Sequence, residues 1–239
     1  MSADKSSGTL YVVATPIGNL SDLTRRAEDV LIRVEIVAAE DTRRTSVLLD
    51  HIGHRVPHLL SYHEHNKKRM TSELLQRLES GDDVALVSDA GTPLVNDPGA
   101  ELVTAATTAG IQVVPIPGAS AITSALSICP FPCYPFTYLG FLPSKKGQRT
   151  QLLQEYLARE DALVFFEAPH RVLETLNNLA ELTNRRVLLG RELTKQFETI
   201  SLLKPASRGD LPVVRALTEH LCRELPRITQ MEDATRSGP

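Results

Sequence analysis

No uninterrupted apolar stretch in the 239-residue chain approaches the ~18 residues of a membrane-spanning helix, so no membrane association is expected. The opening MSADKSSG lacks the apolar core of a secretory signal and reads as a short loose tail. Cysteine is scarce: Cys129, Cys133 and Cys222 are the three present. An odd count without Cys-x-x-Cys spacing argues against a disulfide framework and against a thiolate metal site; these read as reduced packing thiols of a cytoplasmic protein. Of seven histidines, only His63 and His65 fall close together, and no ligand set accompanies them, so no metal is expected. Neither sign of charge dominates. Lys and Arg number 26 against 29 Asp and Glu, a net charge of −3, which argues against a nucleic-acid binder working by bulk charge alone. Local basic patches remain: Arg43 with Arg44, Lys67-Lys68-Arg69, and Lys145-Lys146 with Arg149, although any solvated helix face shows such clusters. No G-x-G-x-x-G string follows the first predicted strand, which speaks against a dinucleotide-dependent dehydrogenase.

What is present is most informative at DVALVSDAGTPLVNDPG, residues 83 to 99. The apolar run Val84 to Val87 has no polar alternation and predicts a parallel strand buried on both faces. Ser88 and Asp89 end it. Ala90, Gly91 and Thr92 let backbone approach a ligand closely, and Asp97-Pro98 predicts a helix start. Strand, bare loop, helix is how open α/β sheets build a crevice at the carboxyl ends of their strands; the bland alternative is a tight crossover without a ligand.

The same rhythm runs through the chain. Strands are expected at residues 10–15, 35–39, 58–62 and 111–116, the last buried. Helices are expected at about 23–33 with a cap at Ser21-Asp22, at 42–51 ending on Gly53, and at 67–80 ending on Gly81. Alternating strands and helices predict an α/β fold with a mostly parallel sheet covered on both faces. Pro115, Pro117 and Gly118 then read as a hinge before a small-residue helix start at Ala119, Ser120 and Ala121, whose free N–H groups suit a polar ligand. A second α/β half follows, with strands at 136–143, 162–171 and 186–195 and a helix from about Arg149 to Leu157. The expected organisation is 8–117, an atypical 118–200, and a divergent tail 201–239 holding one weak helical pattern, Leu211 to Leu225, and no convincing closing strand.

VVATPIGNLSDLTRRA, AAEDTRRT, SYHEHN, SDAGTPLVNDPG, PGASAITSAL, GFLP and EAPHR occur in this order. Together they resemble the ribosomal RNA small-subunit methyltransferase I family of the tetrapyrrole (corrin/porphyrin) methylase superfamily, and the likeness continues through GRELTKQFETI at residues 190 to 200. The resemblance implies two α/β domains holding S-adenosylmethionine in the cleft between them. It implies methyl transfer to the ribose 2′-oxygen of a cytidine in the decoding region of 16S rRNA within the small ribosomal subunit, by a cytoplasmic homodimer. The porphyrinoid branch carries G-x-G-P-G after its first strand; here that place reads Thr15-Pro16-Ile17-Gly18-Asn19, which favours the RNA branch. A non-catalytic RNA- or ribosome-binding relative and a small-molecule porphyrinoid methylase are the alternatives. Past Ile200 the likeness stops: the family continues with a helix and closing strand, whereas this chain reads Ser207-Arg208-Gly209-Asp210.

Carried over by that pattern, the cofactor contacts are Pro16, Asp89, Ala90, Gly91 and Thr92, with Ser120 and Ala121 on the facing half and Ala168 and Leu189 at ends of second-half strands. An Asx-turn closing its own loop is the plainer role for Asp89. A ribose hydroxyl is a poor nucleophile at neutral pH, so a proton acceptor is expected, with Asp41, Glu40 and His65 as candidates. An N-cap role suits Asp41 equally well. Arg43, Arg44, Lys145, Lys146 and Arg149 are the expected RNA contacts.

Overall fold

The computed structural model describes residues 7–203. It forms two compact units: the first runs to Ile128 and takes in Glu192–Glu198, and the second comprises Cys129–Arg191 and the residues from Thr199. The expected helix at 211–225, Cys222 and most of the N-terminal tail lie outside the described residues. Among those described, no helix is long and apolar enough to cross a membrane.

In the first unit, strands and helices alternate as β1 (Thr9–Val13), α1 (Arg25–Arg33), β2 (Ile36–Ala39), α2 (Thr42–His51), β3 (His58–Ser61), α3 (Lys67–Glu79), β4 (Val84–Val87), α4 (Ala100–Thr108), β5 (Gln112–Ile116) and α5 (Ala121–Ser127). All five strands are parallel, in the order β3-β2-β4-β1-β5. The unbroken apolar runs IVAA and VALV follow from burial on both faces. Ile36, Ala38, Val84 and Leu86 join Leu10 against Met70, Leu74 and Leu78 of α3 and Leu102 and Ala106 of α4. Val37, Ala39, Ala85 and Val87 join Val13 against Ala27, Val30 and Leu31 of α1 and Leu48 and Leu49 of α2. At about 1.5–3 kcal/mol for each large apolar side chain buried, these two layers dominate the unit's stability. β1 and β4 are neighbours whose connections run to opposite faces, which opens a crevice at their carboxyl ends.

Four details depart from expectation. β5 is an edge strand with Gln112 and Pro115 exposed; proline, lacking an N–H, is tolerated there because one side of the strand needs no donor. Helix α1 is capped by Thr24, whose hydroxyl accepts from Ala27 N at 3.2 Å, while Ser21 and Asp22 sit in a 3-10 turn capped by Asn19. Helix α4 begins after Gly99 rather than at Asp97-Pro98, because the loop still turns through positive φ at Leu94 (71°), Asn96 (71°) and Gly99 (142°). A Cβ on Gly99 would lie 2.8 Å from Leu86 Cδ2 and 2.9 Å from Leu94 Cδ1. Gly99→Ala is therefore expected to destabilise the first unit by about 1–3 kcal/mol, read by urea unfolding. Lastly, the division at Ile128 keeps Ser120 and Ala121 with the first unit. A Cβ on Gly118 would sit 3.0 Å from Ala14 Cβ, and Thr24 Oγ1 donates to Pro117 O at 3.4 Å.

The second unit pairs β6 (Phe136–Phe141) parallel with β7 (Ala162–Phe166), carries α6 (Lys146–Leu157) and α7 (Val172–Leu182), and pairs β8 (Val187–Arg191) antiparallel with β9 (Thr199–Leu203). Strand β9 spans the point, past Ile200, where the sequence likeness was expected to stop. Its apolar Ile200 and Leu202 point outward, so its pattern does not read as a half-buried strand. Helix α6 starts at Lys146, not Arg149. It packs Leu153 against Leu142 and Leu179, and Arg149, one helical turn earlier on the same face, is fully buried.

Candidate active site

The loops that leave β1, β4 and β5 are tied together at the carboxyl end of the sheet. Thr15 N donates to Gly91 O at 2.8 Å and Gly91 N to Thr15 O at 3.0 Å. The Thr15 hydroxyl donates to Ser88 O at 3.1 Å. Gly91 has φ of 82°, and a Cβ there would lie 3.3 Å from Ile17 Cγ2 and 3.7 Å from Ala119 O. Gly91 thus lies close against the loops that follow β1 and β5. This brings together Pro16, which is buried, Ala90 and Thr92, which are exposed, and Ser120 and Ala121, which start α5. Ala168 and Leu189 belong to the second unit. Ala168 N donates to Glu167 Oε1 at 2.8 Å, and Leu189 pairs with Ser201.

Asp89 reaches out of its own loop. Its Oδ1 accepts from Asp41 N at 3.0 Å, and its Oδ2 faces Arg44 Nε at 3.5 Å, so the loops after β2 and β4 are joined as well. Burial, then the nearby Asp97 and Asp89 carboxylates, push the Glu40 carboxyl above its ordinary value. Asp97 is likewise pushed up, chiefly by burial. Three carboxylates therefore share one end of the crevice, with Arg44 as the nearby cation. The arrangement suits a positively charged ligand, since an added cation relieves their mutual repulsion. Asp97 is the functional candidate that sequence reasoning missed: the Asp-Pro dipeptide reads as a helix start, and nothing local shows that the loop folds it back toward Ser88.

Asp41 and Glu40 divide sharply. Asp41 caps α2, accepting from Arg43 N at 2.9 Å, and its two oxygens take the Arg43 fork at 3.0 and 2.6 Å. The Arg43 hydrogen bonds hold its carboxyl down at about 2, which makes it a weak proton acceptor. Glu40 makes no such pairing and holds its proton more tightly. His65 is exposed on the loop after β3, edge-on to His63 with ring centroids 5.8 Å apart.

The expected RNA contacts also separate. Arg43 and Arg44 are exposed beside the crevice, both engaged by carboxylates. Lys145 is exposed, and Lys146 pairs with Glu181 at 3.0 Å. Arg149 does not face solvent, which corrects its assignment. It donates inward to Pro143 O at 3.4 Å, Ser144 O at 3.3 Å, Asn178 Oδ1 at 3.3 Å and Glu174 Oε1 at 2.6 Å. Four of its five N–H donors are thus engaged, and the side chain has no exposure to solvent, because the α6 turn points it into the core with Leu153.

A family model for tetrapyrrole (corrin/porphyrin) methylases matches residues 9–204. The ribosomal RNA small subunit methyltransferase I of Escherichia coli O157:H7 is 48% identical over 201 residues, covering 83% of this chain and 70% of that protein. Its namesake from Pseudomonas aeruginosa is 48% identical over 207 residues, covering 86% and 73%. Among solved structures, the uroporphyrin-III-C-methyltransferase of Thermus thermophilus aligns over 87% of this chain and 88% of its own with a TM-score of 0.56. Its identity is 23%, a likeness of fold alone. The chain belongs to the tetrapyrrole (corrin/porphyrin) methylase family and, by its relatives, to the ribosomal RNA small subunit methyltransferase I family.

Proposed function

We propose that the protein is an S-adenosylmethionine-dependent methyltransferase that methylates the 2′-oxygen of a cytidine ribose in the decoding region of 16S rRNA, acting on the small ribosomal subunit in the cytoplasm as a homodimer. The observation that carries the reading is the three-loop junction at Gly91 beside the Glu40, Asp89 and Asp97 carboxylates. A bare backbone surface with acidic neighbours fits a ligand that has a flat purine and two cationic groups. Relatives at 48% identity support an RNA substrate. So does Thr15-Pro16-Ile17-Gly18-Asn19 where the porphyrinoid pattern has glycines.

When bound, the cofactor supplies a methyl group on a sulfonium, a leaving group that needs no further activation. The protein's part is to hold the ribose hydroxyl in line with that carbon and to accept its proton. Glu40 is the acceptor we assign, since burial and the neighbouring carboxylates raise its pKa and a more basic carboxylate captures a proton more readily. Asp89 holds the Asp41 backbone, and with it Glu40, in place through the 3.0 Å bond to Asp41 N.

The sign of the pH dependence follows. A base works ionised, so turnover should fall as pH drops through the Glu40 pKa, which lies above its ordinary 4.5. Glu40→Gln should lower transfer by about 10²–10⁴-fold and abolish that acid limb, while the cofactor still binds. Asp41→Asn keeps a capping side chain and should leave transfer within about tenfold of the parent, a loss below the range expected for a proton acceptor. Tritium transfer from labelled cofactor to small ribosomal subunits between pH 5 and 9 reads both. Wild-type turnover in Glu40→Gln would remove the assignment, and sedimentation tests the dimer.

A further inference from the structure

We infer that the groove following β3, lined by Glu64, His65, Asn66, Lys67, Lys68 and Arg69, is a phosphate site for the RNA strand beside the target nucleotide. This rests on the RNA reading above and extends it to where the strand runs. The strand order β3-β2-β4 sets up a row. All these strands are parallel, so the loops after them leave the same end of the sheet. The loop after β4 carries Gly91, the loop after β2 carries Glu40 with Arg43 and Arg44, and the loop after β3 opens into the groove. Neighbouring strands lie about 4.8 Å apart, so the groove is displaced from the Gly91 loop by roughly 10 Å along the sheet. That is within the reach of a nucleotide adjacent to the target.

The groove has a volume of about 530 Å³ and an uneven charge. Lys67 is neutralised by two carboxylates, Glu64 at 2.7 Å and Glu101 of α4. Lys68 and Arg69 are exposed, and among the described residues neither forms an ion pair. The first turn of α3 carries no acidic residue and no side chain caps it, so the positive end of a 13-residue helix adds to the same field. The turn before it is built rigidly. Asn66 Oδ1 accepts from His63 N at 2.8 Å, and Asn66 Nδ2 donates to Ser61 O at 2.8 Å. A preformed, open groove rimmed by two exposed cations suits a polyanionic backbone, which needs positioning rather than base readout.

The test compares the full-length chain with the double variant K68E/R69E; both positions are exposed, and circular dichroism checks the fold. Fluorescence anisotropy with a labelled single-stranded RNA, titrated from ~50 mM salt upward, reads phosphate contacts directly. Losing two of them should reduce the slope of log affinity against log salt by about 1.4. In transfer assays the loss should fall on KM for small subunits, raised about tenfold, rather than on kcat, with cofactor affinity by calorimetry unchanged; tenfold corresponds to about 1.4 kcal/mol. An unaltered salt slope and KM would overturn the inference. An unaltered RNA slope with a raised KM would also overturn it, assigning the groove to a ribosomal protein. If the wild-type chain transfers no methyl group at all, the proposed function fails, while the anisotropy comparison still decides the groove.

Discussion

Gly91→Val is expected to reduce S-adenosylmethionine affinity by about 100-fold or more, roughly 2.7 kcal/mol, while the protein stays folded. Valine at a φ of 82° is strained by its branched Cβ. That strain, about 1–3 kcal/mol, is small against the two apolar layers that hold the sheet. The larger effect is local. The new Cβ lies 3.3 Å from Ile17 Cγ2 before its methyls are counted, with Ala119 O 3.7 Å away, so the three loops must separate. The reciprocal Thr15–Gly91 hydrogen bonds at 2.8 and 3.0 Å then lengthen or break. Gly91→Ala adds the Cβ without the methyls, is tight only against Ile17 Cγ2, and should lose about tenfold. Calorimetric titration measures the affinities, and a thermal scan measures the cost to folding. Wild-type affinity in Gly91→Val would show that the ligand does not use this junction.

The parts of this arrangement that could be read from sequence share one physical property. Strands β2 and β4 are legible because burial on both faces demands a continuous apolar run, and IVAA and VALV supply it. Helix α2 is legible because Asp41 caps it and Gly53, at φ 67°, follows its end. Gly91 is legible as a place of close approach, though not as the keystone of three loops, because that depends on Ile17 and Ala119 arriving from other strands. Features set by such distant partners escape local reading. Asp97 resembles a helix cap until the positive φ angles at Leu94 and Asn96 delay α4 to Gly99; an asparagine at positive φ is a common device, but Leu94 gives no warning. Asp41 and Glu40 look equivalent in sequence, and only Arg43 on one side and burial on the other separate them. For Arg149 a signal was present. It stands four residues before the buried Leu153, which places both on one face of α6, and a cation on that face is either an error or a held partner.

Arg149→Leu is the second large effect, an expected loss of about 3–5 kcal/mol in the stability of the second unit. Two outcomes compete. Replacing a whole buried polar network by apolar groups can be neutral, but removing one member leaves its partners unpaired. Here the partners stay: Pro143 O, Ser144 O, Asn178 Oδ1 and Glu174. Leucine also fills less space than the guanidinium, in a side-chain site with no exposure to solvent. Glu174 is 55% exposed, so Glu174→Gln should cost about 1 kcal/mol or less. The asymmetry between the two ends of one ion pair is the diagnostic. Arg149→Lys should not rescue, because a single ammonium cannot reproduce a fork shared by two carbonyls, an amide and a carboxylate. The loss would also release the Leu142–Ser144 turn. Arg171 Nη1 still donates to Leu142 O at 3.3 Å and is anchored to Glu167 at 2.5 Å, so one end of the turn holds while the end bearing Lys145 comes free. Urea unfolding of the three variants measures the ledger, and amide exchange across residues 142–146 reads the release. Equal stabilities for Arg149→Leu and Glu174→Gln would mean that the Pro143 and Ser144 carbonyls find other donors and that Arg149 is worth no more than a surface ion pair.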